Sequence, residues 1–171
     1  MKKRFFGTLL AAALVVTQVV SVFAAGSRTT QVTLVGEAAG KYEVSEGTAE
    51  TFSYLHESAP EVEAKILAVN SGEATLQSIA EQAPELAKEL EGKSLITKFF
   101  DLEPINGGIR TEDGKYKVTL SVPALTEALT NVRLLHYSTE RNLWEIVTPT
   151  DVNYKNKQIT AAVSYTHLTL P

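Results

Sequence analysis

The sequence predicts an α+β fold: short amphipathic helices followed by an antiparallel, sandwich-like β region. Two observations predict it. Between residues 48 and 92 apolar residues recur at helical spacing in short runs broken by Gly and Pro, whereas after Gly92 they alternate with polar ones. The β runs then follow one another through short turns with no intervening helix, which implies antiparallel pairing rather than a parallel sheet.

The elements follow in chain order. Residues 31–35 (QVTLV) read as a strand, residues 36–40 as a turn, and residues 41–45 (KYEVS) as a second short strand. Thr48 is placed to cap a helix carrying Phe52 and Leu55. Ser58 is placed to cap another, with Pro60 in its first turn and Glu61 and Glu63 near its positive end. Val62, Ile66, Leu67 and Val69 share one face, and Asn70, Ser71 and Gly72 stop that helix. Leu76, Ile79 and Ala80 form a third run; Pro84 opens a fourth, with Leu86 and Leu90 inward and Gly92 at its end. Helices this short need tertiary packing to persist.

Residues 95–102 (LITKFFDL) read as a strand closed by Pro104 and the turn at Asn106, Gly107 and Gly108. Asp113 and Gly114 mark another turn. Tyr116, Val118, Leu120 and Val122 then alternate with polar residues as in a half-buried strand ended by Pro123. A helical turn is expected over 124–129, and strands over 132–137, 143–147, 152–154 and 158–162.

The chain opens with a signal-peptide pattern. Lys2, Lys3 and Arg4 form a basic start, residues 9–16 (LLAAALVV) an apolar core, and Val22, Phe23 and Ala24 a small-residue exit, which places cleavage after Ala24, with Ala25 or Gly26 as alternatives. No other segment is apolar enough to span a bilayer, so no membrane span is expected once the leader is removed. Without the leader, 13 basic residues face 20 acidic ones, a net charge of −7. Such a surface repels phosphate backbones, so nucleic acid is not an expected partner. Hydrophobic residues at 44% and charged residues at 21% are globular values that exclude wholesale disorder. Cysteine is absent, so the exported part must be held by its core, with no disulfide or thiolate chemistry.

Residues 163–171 (VSYTHLTLP) resemble one translated frame of the mosaic end and adapter of transposase-based sequencing libraries. The likeness implies that the native C-terminus is missing, that His167 belongs to no site, and that a strand completing the C-terminal sheet has been lost. The segments KVTLSVP and RLLHYSTERNLWEIVTP with the hairpin after them, roughly residues 116–162, resemble C-terminal portions of uncharacterised secreted and surface proteins of Gram-positive bacteria. That resemblance implies an extracellular β-module and carries no functional residue. The expected organisation is thus a signal peptide over 1–24, a mainly helical region over 25–93, an antiparallel β region over 94–162 and a non-native tail over 163–171. A domain boundary near 92–94 stays open.

Candidate chemistry is sparse. His136, Tyr137 and Ser138 lack a G-x-S-x-G elbow or S-x-x-K motif, so a structural histidine is expected. His56 and His136 show no ligand spacing, and Glu112, Asp113, Asp101 and Glu103 read as turn carboxylates; no metal or cofactor is expected. Trp144, Tyr137, Tyr116 and Tyr154 on neighbouring strands are candidate ligand-binding aromatics, with Trp144 expected to face outward because it is out of phase with Leu143 and Val147. The functional expectation is a non-catalytic structural or adhesion module of a secreted or cell-surface bacterial protein. The alternatives are a carbohydrate- or cell-wall-binding module using those aromatics, and a small secreted hydrolase.

Overall fold

Ala11, Ala12, Ala13, Leu14 and Val15 are all fully buried, and they point alternately into two different cores. The computed structural model in which they lie describes residues 11–18, 31–139 and 141–163. The basic start of the leader, the cleavage position at Ala24 and Ala25, and the tail from Ser164 onward lie outside the described residues.

In chain order the elements are β1 (Ala11–Gln18), β2 (Thr33–Leu34), a 3₁₀ turn (Gly36–Ala38), β3 (Tyr42–Glu46), α1 (Leu55–Ser58), α2 (Pro60–Ser71), α3 (Gln77–Gln82), a 3₁₀ turn (Pro84–Leu86) and α4 (Ala87–Leu90). There follow β4 (Ser94–Leu95), β5 (Phe100–Pro104), β6 (Tyr116–Ser121), β7 (Leu129–Ser138), β8 (Leu143–Val147), β9 (Asp151–Asn153) and β10 (Gln158–Val163). The fold is α+β, with two antiparallel sheets in a sandwich-like arrangement. Among the described residues one sheet has the order β3-β5-β1-β7-β8, with β4 also paired to β1; the other has the order β2-β6-β10-β9.

The first sheet is the middle of three layers. Its inner face packs Ala12, Leu14, Leu102, Val132 and Leu134 against Val118, Leu120, Ile159 and Ala161 of the second sheet. Its other face packs Ala11, Ala13, Val15, Leu135, Tyr137 and Trp144 against Phe52, Leu55, Ile66, Ile79 and Leu90 of the helical region. Each fully buried side chain of this size contributes about 1.5–3 kcal/mol relative to exposure. The helical and β regions therefore share one core across residues 92–94. A strand covered on both faces has no reason to alternate, and the apolar run assigned to the leader fits that position.

The helical signals are largely realised, with corrections at the N-termini. Thr48 does act as a local cap, its Oγ1 accepting from the Thr51 N–H at 3.2 Å, but it caps a turn, and the helix carrying Leu55 has only four residues. Ser58 does not cap α2: its hydroxyl donates back to the Tyr54 carbonyl at 3.2 Å, and Ala59 stands at the N-cap with Pro60 in the first turn. Gly72 ends α2 in the left-handed region at φ 82°, where a Cβ would be strained. Two β expectations also change. Residues 95–102 form two short strands because Thr97 turns its hydroxyl to accept from the Leu14 N–H at 2.8 Å instead of continuing the ladder. The helical turn over 124–129 is a pair of hydrogen-bonded turns, Leu125 N to Val122 O and Leu129 N to Thr126 O. The β6 alternation is as read, Tyr116, Val118 and Leu120 inward.

Candidate functional site

The four candidate aromatics do not form one surface. Tyr137 and Trp144 come together because β7 and β8 pair antiparallel with these two residues opposite each other, joined by a turn in which Asn142 adopts φ 52°. Their rings meet edge to face at 5.2 Å, and Phe99 meets the indole edge to face at 5.6 Å. Trp144 is 4% exposed and Tyr137 2%, so the outward-facing Trp144 of the sequence reading is corrected. Leu143, on the opposite face of β8, is the exposed residue at 37%, because the face that carries Trp144 is the one the helices cover. Tyr116 is 5% exposed in the other core, edge-on to Tyr42 at 6.3 Å and with the Arg110 guanidinium 4.4 Å over its ring. Tyr154 is half-buried beside that same core and donates its hydroxyl to the Leu129 carbonyl at 3.0 Å. These rings do not present a stacking platform.

Tyr137 and Trp144 do border a cleft of about 600 Å³ between the α1–α2 junction, α3 and the β7–β8 turn. Two buried polar atoms at this cleft lack a hydrogen-bond partner: the indole Nε1 of Trp144, a donor, and the amide Oε1 of Gln82, an acceptor. The Gln82 amide is oriented by its own Nε2, which donates to the Glu61 carbonyl at 3.1 Å. Tyr137 donates its hydroxyl to Asn142 Oδ1, and burial raises its pKa. Glu61, Glu81 and Glu85 give the cleft an acidic rim, of which Glu81 is paired with Lys65 at 2.7 Å. Both atoms are buried from solvent beneath the acidic rim. Nothing in the linear spacing of Gln82 and Trp144 signals this pair; the turn at Asn142 and the docking of α3 create it.

His136 is 2% exposed, opposite Ala12 on β1 and Glu145 on β8. Its Nδ1 lies 3.2 Å from Glu145 Oε2 without the alignment of a hydrogen bond, and Glu145 is bound on its other oxygen by Arg141. Burial, reinforced by the Arg141 charge, lowers the His136 pKa to about 3, so the ring is neutral at physiological pH. Ser138 accepts from the Arg141 N–H at 3.3 Å instead of meeting His136.

The other titratable candidates are local. His56 Nδ1 lies 3.1 Å from Glu63 on the helical surface. Asp113 takes the Thr111 hydroxyl at 2.5 Å and Lys115 at 3.0 Å, which hold its carboxyl below the usual range. Asp101 is buried and receives the Tyr54 hydroxyl at 3.4 Å. Among the described residues no group of three His, Asp or Glu is placed to hold a metal ion, and no helix is long and apolar enough to cross a membrane. No protein-family model, curated protein or solved structure matches this chain.

Proposed function

We propose that this chain is an exported bacterial module with a structural or adhesive, non-catalytic role at or outside the cell surface. The observation that supports this reading is where the C-terminal half spends its reactive and aromatic side chains. Tyr116, Tyr137, Trp144 and His136 are all built into packing, and His136 is held neutral there. Export is tested by expressing the chain with its leader in a Gram-positive host and weighing the product from medium and wall fractions. Full-length protein confined to the cytosol refutes it.

A second reading is a carbohydrate- or cell-wall-binding module, favoured by the unpartnered Trp144 Nε1 and Gln82 Oε1. Here the cleft hydrogen-bonds one sugar unit rather than stacking on it. Retention on insoluble polysaccharide or peptidoglycan distinguishes the two. Retention abolished by Trp144→Phe, which keeps the ring in the core and removes the N–H, supports binding; no retention of the parent protein leaves the scaffold role.

A further inference from the structure

The turn that closes β5 is clamped at both ends and free in its middle. Ile105 donates its N–H to the Lys41 carbonyl at 2.8 Å, and Gly108 donates to the Ile105 carbonyl at 3.1 Å. Ile109 then donates to the Tyr42 hydroxyl at 2.8 Å. Between these clamps Asn106 at φ 51° and Gly107 at φ 86° take the two central positions of a type I′ turn, and both are exposed. Among the described residues neither the Gly107 N–H nor the Asn106 side-chain amide has a hydrogen-bond partner.

We propose that Asn106 is a site of spontaneous covalent modification in the folded protein, its amide being converted to aspartate and isoaspartate through a cyclic imide formed with Gly107. The Gly107 nitrogen bonds to Asn106 Cγ as the Cγ–N bond of the amide breaks. The ammonia that leaves carries off the proton that the attacking nitrogen gives up. Water then opens the imide. Addition at Cγ yields aspartate, and addition at the main-chain carbonyl of Asn106 yields isoaspartate, in which the chain runs through the former side chain. Solvent water is the only other reactant.

Three features single out this residue. The attacking nitrogen belongs to a glycine, with no Cβ to hinder the approach, and this is the one Asn-Gly pair in the sequence. The amide it attacks is unheld, whereas other asparagines are engaged. Asn70 is bound through both amide atoms, Asn142 Oδ1 accepts the Tyr137 hydroxyl, and Asn153 Oδ1 accepts the Asn156 N–H at 2.9 Å.

The third feature is the contrast with Asp113 and Gly114, the other acid- or amide-glycine pair in a turn. There the Gly114 N–H donates to the Thr111 carbonyl at 3.0 Å, and the Asp113 carboxylate is held by the Thr111 hydroxyl and by Lys115. Both partners of the reaction are tied down at that turn, and neither is at Asn106. Isoaspartate also lengthens the main chain between the clamps. The turn cannot take up that length inward, because Gly108 already presses on Tyr116, where a Cβ would stand 2.8 Å from the ring. The bond from Gly108 to Ile105 is therefore lost in that product, and the turn gains a negative charge.

The test incubates the folded full chain in mildly alkaline buffer and follows its tryptic peptides by mass spectrometry. Cleavage after Lys98 and Arg110 releases residues 99–110, whose only asparagine is Asn106. Growth of two acidic forms of this peptide, aspartyl and isoaspartyl, is the expected result. The synthetic peptide 99–110 gives the unrestrained rate. The folded chain should convert within about 100-fold of it, since a site that opened only on global unfolding would be slowed far more. Slower conversion overturns the proposal, as does equal or faster conversion at another asparagine or at Asp113.

Asn106→Gln, which disfavours the imide by enlarging its ring, should remove the acidic species that isoelectric focusing shows in the aged parent. Acidic species that persist in this variant place the modification elsewhere and overturn the proposal. The peptide map of the parent chain decides the matter alone if the variant does not fold.

Discussion

The side-chain amide of Asn70 clasps the backbone of Phe99 from both sides: Oδ1 accepts from the Phe99 N–H at 2.7 Å, and Nδ2 donates to the Phe99 carbonyl at 3.1 Å. The same Nδ2 donates to the Gly47 carbonyl at 3.0 Å. The last turn of α2 is thereby fastened to the segment that leads into β5. Asn70→Ala strands these backbone groups and should destabilise the fold by about 2–3 kcal/mol. In a chain of this size that lowers Tm by about 5–10 °C. Asn70→Asp, which keeps the acceptor and loses the donor, should be at least as damaging in a urea titration. A change below about half a kcal/mol in either variant would show that the clasp carries no weight.

Gly47 sits under the same clasp for a steric reason. A Cβ there would meet the Phe99 carbonyl oxygen at 2.1 Å and the Asn70 amide nitrogen at 2.6 Å. The nearest obstacle is backbone, which cannot swing aside. Gly47→Ala should therefore cost more than Asn70→Ala, about 3 kcal/mol or above, and be seen as loss of soluble protein or a collapsed Tm.

His136 makes stability fall in acid. Its folded pKa of about 3 lies below its unfolded value of 6.5, so below pH 6.5 the unfolded chain binds a proton that the folded chain refuses. The stability it leaves intact above pH 6.5 is lost as pH falls from 6.5 towards 3, with a limiting slope of about 1.4 kcal/mol per unit. Between pH 6.5 and 4.5 this group alone should remove about 2 kcal/mol. His136→Gln should flatten that part of the profile, as read by urea midpoints across the pH range. An unchanged slope would mean that the ring protonates in the folded state, with Glu145 as its partner.

Trp144 distinguishes packing from polar chemistry. Trp144→Ala removes a ring wedged between Tyr137 and Phe99 and should cost about 3–5 kcal/mol. Trp144→Phe keeps an aromatic wedge and removes an unpartnered N–H, so its cost should stay below about 2 kcal/mol. Calorimetry of both variants checks the order. Equal costs would mean that the indole N–H has a partner in solution.

Local signals carried much of the architecture. Gly72 stops α2, the β6 alternation holds, and the turns at Gly107, Gly108 and Gly114 stand where their residues place them, each at positive φ. What failed was anything decided across the fold. The phase of Trp144 depends on which face the helices cover, and that is invisible in LWEIV, where both faces carry apolar residues. Ser58 loses its capping role to Ala59 because its hydroxyl finds the Tyr54 carbonyl one turn back. The cleft pair of Gln82 and Trp144 comes from segments 62 residues apart, so no spacing could reveal it. The apolar run at Ala11 is the sharpest case: AAALVV satisfies a leader core and a doubly covered strand equally, and composition alone cannot choose.

The middle sheet also bears on how the protein melts. Because its two sides serve as floor for one core and ceiling for the other, neither outer layer can detach without exposing an apolar face of the middle sheet to solvent. Heating should therefore give a single endotherm, with calorimetric and van't Hoff enthalpies in agreement, and no stage at which the helices are lost while the two sheets survive intact.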